Sequence, residues 1–248
     1  MKIYAFGDPD APAILLLPGT CCHWKSNFGR VIPLLERDFR VLCASYDGFD
    51  ETESTEFPGM IEETEKLEAY IQKYCGGRIR AAYGCSLGGS FVGLLAARGN
   101  VHMDAGILGS SDLDQAPKWL AKLETKLMLP MIYPMIHGGK IPKSISKRQS
   151  SEYERAFMEM FGGARPYVTR RSCETQFYFD LITPLPDKID VPGTRIHIFY
   201  ALKMGKKYRA RYEKHFRNPV IHEQDLRYEE LLACHPERWA QLVKSIAE

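Results

Sequence analysis

The sequence has 248 residues, of which 45% are hydrophobic and 26% charged, and its formal net charge is +2. These values are typical of one large globular domain or of a core with an insertion, and they give no reason to expect a nucleic-acid partner. No apolar run approaches the roughly 18 residues of a membrane span. Met1–Tyr4 lead almost directly into Asp8 and Asp10, so no signal peptide is visible.

The cysteines indicate a reducing compartment. There are seven, an odd number, and they lack the spacing of metal ligands. The adjacent pair Cys21 and Cys22 is poorly placed to ligate one zinc ion. We therefore expect a cytoplasmic protein with buried thiols, no metal ion, no other cofactor and no membrane partner.

Apolar runs alternate with helical patterns in the first half of the chain. The run 13–17 is apolar throughout, which is typical of a strand buried on both faces, as in a parallel sheet. The alternation predicts an α/β fold with a doubly wound, mostly parallel sheet. Strands are predicted at 13–17, 40–46, 78–83 and 102–109, and helices at 27–37, 60–74 and 91–98.

The alternation stops after Asp112 and resumes near Arg195. The pattern between them predicts helices and loops, so we expect a core formed by 1–112 and 186–248 with a helical lid, 113–185, inserted into it. Within the lid, helices are predicted at 119–128, 150–161 and 175–182, with an apolar, Met-rich piece at 131–136. After the lid, strands are predicted at 195–200 and 219–223, and helices at 206–216 and 236–247.

Residues 84–88 read Gly-Cys-Ser-Leu-Gly, the form Gly-x-Ser-x-Gly, between a predicted strand and a predicted helix. Gly84 and Gly88 let the backbone turn tightly without a Cβ clash. Such a turn lifts the hydroxyl of Ser86 above the carboxyl edge of the sheet, at the positive end of a helix. The pattern predicts that Ser86 is a nucleophile.

Taken together, these segments resemble the α/β-hydrolase fold superfamily of serine hydrolases and esterases, over essentially the whole chain. The insertion after Asp112 lies where that family has its lid, and Pro18 stands where it often has a histidine. The segments that carry the resemblance are Leu15–Thr20 for the oxyanion loop, Tyr46–Asp50 for the loop after the next strand, Gly84–Gly88 for the nucleophile elbow and Pro236–Val243 for the last helix.

The resemblance implies a mechanism. Ser86 would attack the acyl carbonyl of a small ester, thioester or amide, and the backbone N–H groups of Thr20 (or Cys21) and Leu87 would hold the oxyanion. Removing one such donor costs roughly 3 kcal/mol of transition-state stabilisation. The methionines and aromatic residues of the lid favour a small-molecule substrate with an apolar acyl or aryl part.

The family's usual acid is missing. It commonly follows the second-last strand, but the segment Tyr200–Gly205, with Met204 near that position, has no carboxylate. The family's second solution is an acid directly after the strand that follows the elbow, and Asp112 is the candidate there. Asp112 could equally cap the first lid helix or turn the chain.

The usual histidine is missing too. It commonly precedes the proline of the final helix by about seven or eight residues, and counting back eight from Pro236 gives Tyr228, a poor base near neutral pH. His235 is the first candidate base; His222, His137 from the lid, or no base at all are alternatives. Two hypotheses therefore stand: a serine hydrolase with Ser86, His235 and Asp112, or a degenerate hydrolase fold that serves as a binding or regulatory protein.

Overall fold

The computed structural model describes residues 1–138, 152–161 and 165–248. In them, seven strands form one sheet in the order β1-β3-β2-β4-β5-β6-β7, with β1 antiparallel to β3 and the other neighbours parallel. The predicted fold class is confirmed. The strands are β1 Lys2–Phe6, β2 Ala13–Leu17, β3 Arg40–Ser45, β4 Arg78–Gly84, β5 His102–Leu108, β6 Arg195–Ala201 and β7 Val220–Gln224.

Helices alternate with most of these strands. Helices α5 to α7 follow β5 and precede β6, at the predicted insertion; the predicted start of the second insertion helix, 150–151, lies outside the described residues. None of the described helices is long and apolar enough to cross a membrane. The helices are α1 Trp24–Phe28, α2 Ile32–Leu35, α3 Met60–Cys75, α4 Leu87–Arg98, α5 Lys118–Ile136, α6 Glu152–Phe161, α7 Arg170–Ile182, α8 Lys206–His215, α9 Glu230–Cys234 and α10 Pro236–Ala247.

The apolar run of β2 is buried on both faces of the sheet, as its sequence predicts. Ile14 and Leu16 pack with α1, α2 and α10, whereas Leu15 and Leu17 pack with α3 and α4 on the opposite face. Alternate residues of a strand point to opposite faces, so an unbroken apolar run needs a cover on each. Full burial of each such side chain contributes about 1.5–3 kcal/mol. This packing fixes the carboxyl end of the sheet, where the elbow lies.

Three predicted elements differ in the structure. The predicted helix 27–37 is two short helices, because the chain turns at Gly29 and Pro33 lacks the N–H that a continuous helix would need. Helix α5 instead continues through Pro130 and Pro134, joining the predicted helix 119–128 to the apolar piece 131–136. The strand β1 and the short helix α9 were not predicted.

Candidate active site

Ser86 lies at a sharp turn between β4 and α4. Its backbone angles are φ 48° and ψ −113°, in a sparsely populated region for a residue with a Cβ. Such a conformation costs on the order of 1–3 kcal/mol and persists only where the surroundings enforce it. The chain therefore forms the strained turn that the Gly-x-Ser-x-Gly pattern predicts.

A buried carboxylate, that of Glu229, holds this turn. Its Oε1 accepts the backbone N–H of Ser86 (2.9 Å) and that of Ser110 (2.7 Å), and its Oε2 accepts the hydroxyl of Tyr83 (3.2 Å). Burial raises the pKa of Glu229, and the hydrogen bonds oppose that rise. Both oxygens are engaged, so Glu229 ties the ends of β4 and β5 to the segment before α9.

The carbonyl side of Ser86 is held as well. Its C=O accepts the hydroxyl of Ser111 (2.6 Å) and the N–H of Gly89 (2.8 Å). The Ser86 hydroxyl itself makes no hydrogen bond to the part of the chain that the structure describes, and the residue is partly exposed. The backbone is thus fixed while the hydroxyl stays available to a ligand.

A cavity of about 280 Å³ adjoins Ser86 and extends under α5, α6 and α7. Thr20 and Ser86 line it at the carboxyl edge of the sheet. Its other polar lining includes the carboxylates of Asp112, Asp114, Glu124, Asp180 and Glu229. Its apolar lining is Met128, Ile132, Phe157, Met160, Phe161, Phe177 and Leu181.

The structure separates the two alternatives for the first oxyanion donor. The N–H of Cys21 already donates to Gln176 Oε1 (2.6 Å) and is not available to a ligand. Thr20 lines the cavity, and Leu87 begins α4, where an N–H has no partner within the helix. The roles of Thr20 and Leu87 as oxyanion donors stay a prediction.

None of the seven histidines, all of which lie in described residues, lines this cavity. His235 is exposed at the junction of α9 and α10, and α9 displaces it by about 9 Å along the helix axis from Glu229. His222 contacts the ring of His197 (2.9 Å), and His137 contacts the carbonyl of Tyr133 (2.9 Å). The structure therefore does not bring His235, or either alternative histidine, to Ser86.

Tyr228, at the position where the family's histidine is expected, does face the cavity. A hydrogen bond with Tyr208, together with burial, raises the pKa of Tyr228. Only a phenolate could take up a serine proton, and a pKa above the ordinary value leaves even less phenolate near neutral pH. The residue occupies the site of a base without being able to act as one near neutral pH.

Asp112 follows β5, as predicted, and lines the same cavity as Ser86. Its Oδ1 also accepts the N–H of Asp114 (3.3 Å), which is the turn-forming bond of the alternative interpretation. Asp112 is an exposed residue, and the protein packed around its carboxyl group raises its pKa by desolvation. With no histidine beside it, Asp112 has no imidazole to orient.

Asp180, on α7, is a second carboxylate of this wall. Its Oδ1 accepts the hydroxyl of Ser90 (2.9 Å). Burial, and then the negative charges of Asp112 and Asp114, raise the pKa of Asp180 to about 8. Near neutral pH this carboxyl group holds a proton for much of the time.

This shift predicts a pH-dependent stability. A raised acid pKa adds stability below the unfolded value, near 4, and that contribution is lost as pH rises through about 8. Asp180→Asn has no group there to titrate, so it lacks this loss of stability at high pH. The free energy of unfolding of the variant minus that of wild type should therefore rise by on the order of 2 kcal/mol from pH 5 to pH 9. Urea unfolding at both pH values measures it, with exposed Glu174→Gln on the same helix as the control. A difference that is the same at both pH values would contradict the shift.

Two site residues were not predicted, Glu229 and Asp180. Glu229 lies seven residues before Pro236 and Tyr228 lies eight before it, so the count from the helix proline reaches both, but it looks for a histidine and gives no reason to single out Glu229. Asp180 lies within a predicted helix, and nothing in its local pattern separates a cavity-facing acid from a solvated one.

A sequence model described as the alpha/beta hydrolase family matches residues 14–242. No curated protein matches the chain. Among solved structures, a putative alpha/beta hydrolase family protein from Desulfitobacterium hafniense superposes with a TM-score of 0.82 at 18% identity, with 100% of both chains covered.

Two further structures share the fold. MenH from S. aureus has a TM-score of 0.72 at 13% identity, covering 99% of this chain and 96% of its own. The enol-lactonase from Burkholderia xenovorans LB400 has a TM-score of 0.67 at 14% identity, covering 99% of this chain and 95% of its own. At these identities the likeness concerns the fold, whereas the family match spans most of the sequence. The chain therefore belongs to the alpha/beta hydrolase family.

Proposed function

We propose that this protein is a slow serine hydrolase that forms an acyl-enzyme on Ser86 from a small ester, thioester or amide with an apolar acyl or aryl part. The observation that carries the proposal is the strained, fixed backbone of Ser86 in the wall of a cavity, with its hydroxyl uncommitted among the described residues. The aromatic and methionine side chains of that cavity suit an apolar acyl or aryl group.

In the acylation step, the Ser86 oxygen forms a bond to the substrate carbonyl carbon, and the carbonyl π electrons move to its oxygen. The N–H groups of Thr20 and Leu87 donate to that oxyanion. When the carbonyl re-forms, the bond to the leaving oxygen, sulfur or nitrogen breaks, and the leaving group takes up the proton that Ser86 lost. Water then attacks the acyl-enzyme by the same sequence and releases the acid.

The proton acceptor is a carboxylate or water, since no histidine of the chain lines the cavity. Both oxygens of Glu229 are held by buried donors, and Asp180 holds a proton for much of the time near neutral pH. The acceptor is therefore an ionised carboxylate elsewhere in the lining, or water. A serine hydrolase without its imidazole keeps roughly 10³–10⁴-fold catalysis over water from oxyanion stabilisation and binding.

Turnover of p-nitrophenyl butyrate tests the proposal. We expect a kcat far below the ~10 s⁻¹ typical of enzymes, which Ser86→Ala abolishes. His235→Ala serves as the matched control and should leave turnover unchanged, because His235 is exposed outside the cavity. Hydrolysis that survives Ser86→Ala would overturn the proposed nucleophile; hydrolysis lost in His235→Ala would restore histidine as the base.

The alternative is a binding protein that has kept the cavity and lost the chemistry. One observation favours it: Tyr228 faces the cavity where the histidine of the family is expected. Such a protein would bind apolar acyl compounds without forming a covalent adduct at Ser86. Adduct formation thus separates the two functions, whereas binding alone is common to both.

A further inference from the structure

The cavity beside Ser86 is lined by acids from four different segments. Asp112 and Asp114 come from the turn after β5, Glu124 from α5, Asp180 from α7 and Glu229 from the segment before α9. No lysine, arginine or histidine is among the described residues that line it. The Ser86 turn fixes the position of the cavity, and these acids determine its charge.

The five acids differ in how far their charge is compensated. Glu229 accepts three buried donors, and Asp114 pairs with Arg211 (2.7 Å). Asp112 takes one backbone N–H and is also attracted by Arg211, whereas Asp180 takes one hydroxyl hydrogen bond. A carboxylate can accept about four hydrogen bonds, so Asp180 is far from saturated.

Among the described residues, no positive group acts on Asp180. The charged groups there that do act on it are Asp112 and Asp114, and both are negative. Asp180 is half-buried, and a carboxylate removed from water without a positive partner favours its protonated form. A positively charged ligand bound beside Asp180 would supply the positive partner that the carboxylate needs.

The rest of the lining suits an organic cation more than a metal ion. Phe157, Phe161, Phe177 and Tyr228 also line the cavity, and aromatic rings attract ammonium groups. In the described residues, no three histidine, cysteine or carboxylate side chains come together as a metal-binding group. Carboxylates and aromatic rings in one lining fit an alkylammonium group attached to an apolar part.

We propose that the cavity binds organic cations, with an alkylammonium group beside Asp112 and Asp180 and the apolar part against the aromatic rings. If the proposed hydrolase function holds, on which this substrate class rests, the substrate is an ester, thioester or amide that carries that group. The cavity of about 280 Å³ lies near the lower end of the range for ligand pockets, so the ligand is small.

Two esters of the same shape and different charge test the inference. Acetylcholine and 3,3-dimethylbutyl acetate differ in one atom, a quaternary nitrogen in place of a quaternary carbon. We expect kcat/KM to favour the cation by about tenfold or more in the wild type. Asp180→Asn should reduce that ratio by about tenfold, whereas Glu174→Gln, an exposed acid on the same helix, should preserve it.

The ratio separates charge recognition from general damage, because both esters use the same nucleophile. Asp112→Asn is the second variant, and it should lower the same ratio if Asp180→Asn fails to fold. A wild-type ratio near one, or a ratio unchanged in the folded variants, overturns the inference while leaving Ser86 as the proposed nucleophile.

Binding gives a readout that does not need turnover. If neither ester is hydrolysed, phenyltrimethylammonium is compared with neutral tert-butylbenzene by the shift they cause in Tm, while p-nitrophenyl butyrate remains the test of the proposed function. We expect the cation to raise the Tm of wild type and of Glu174→Gln, and to raise that of Asp180→Asn much less. Equal shifts with both compounds, or an equal cation shift in Asp180→Asn, overturn the cation site.

Discussion

Glu229→Ala is expected to lower the free energy of unfolding by about 3–5 kcal/mol, because it leaves buried hydrogen-bond donors around the Ser86 turn without an acceptor. The N–H groups of Ser86 and Ser110 both donate to Glu229 Oε1, and Tyr83 donates to Oε2. Each buried donor without a partner costs about 1–3 kcal/mol, and the lost side chain leaves a cavity. Urea unfolding measures the loss.

Glu229→Gln is the matched control. A glutamine oxygen in the place of Oε1 still accepts both backbone N–H groups, and the contacts with the Tyr83 hydroxyl and the Cys85 thiol must rearrange, so we expect a loss of about 1 kcal/mol or less. This contrast assigns the effect to the hydrogen bonds rather than to the charge. If alanine and glutamine destabilise equally, Glu229 does not hold the turn through its oxygen.

Gly84→Ala should be at least as damaging, with a loss of about 4 kcal/mol or more. A Cβ on Gly84 would overlap the carbonyl group of Gly88 and the nitrogen of Gly89, which are backbone atoms at the start of α4. Backbone cannot move aside without displacing the helix from the sheet. We expect little folded protein at 37 °C, measured by circular dichroism and urea unfolding, since such a loss approaches the whole stability of many domains.

Gly19→Ala controls for glycine replacement at the same site. A Cβ on Gly19 would lie 3.5 Å from Cys85, an ordinary van der Waals contact, so a change below about 1 kcal/mol is expected. Similar stability for Gly84→Ala and Gly19→Ala would show that the elbow has room for a side chain, contrary to the packing described.

The central sheet could be predicted because its strands are apolar on both faces. Residues 13–17 have no polar position, and an unbroken apolar run of that length needs a cover on each side. Strand β1 could not be predicted in this way: its residues are mostly half-buried, and it pairs with β3 at the antiparallel edge. The full length of α5 could not be predicted for a different reason. Its two prolines predict a break, but burial of Leu129 and Ile136 outweighs their effect.

The candidate site could be predicted only where the local pattern dictates the backbone. Gly84 and Gly88 require a tight turn, so the place of Ser86 follows from the sequence. The acids that line the cavity with Ser86 include Glu229 and Asp180, which are 143 and 94 residues away in the chain. The short helix α9 determines whether Glu229 or Glu230 turns inward, and no periodicity in the sequence predicts that helix.

The central claim, that Ser86 is a nucleophile working without histidine, is tested most directly by covalent labelling. The wild type is treated with a fluorophosphonate, and intact-mass and peptide mass spectrometry locate the adduct. We predict one adduct on Ser86, formed slowly, absent from Ser86→Ala and unchanged in rate in His235→Ala. Well-folded wild type that gains no adduct would contradict the account and identify the chain as a binding protein with a hydrolase fold.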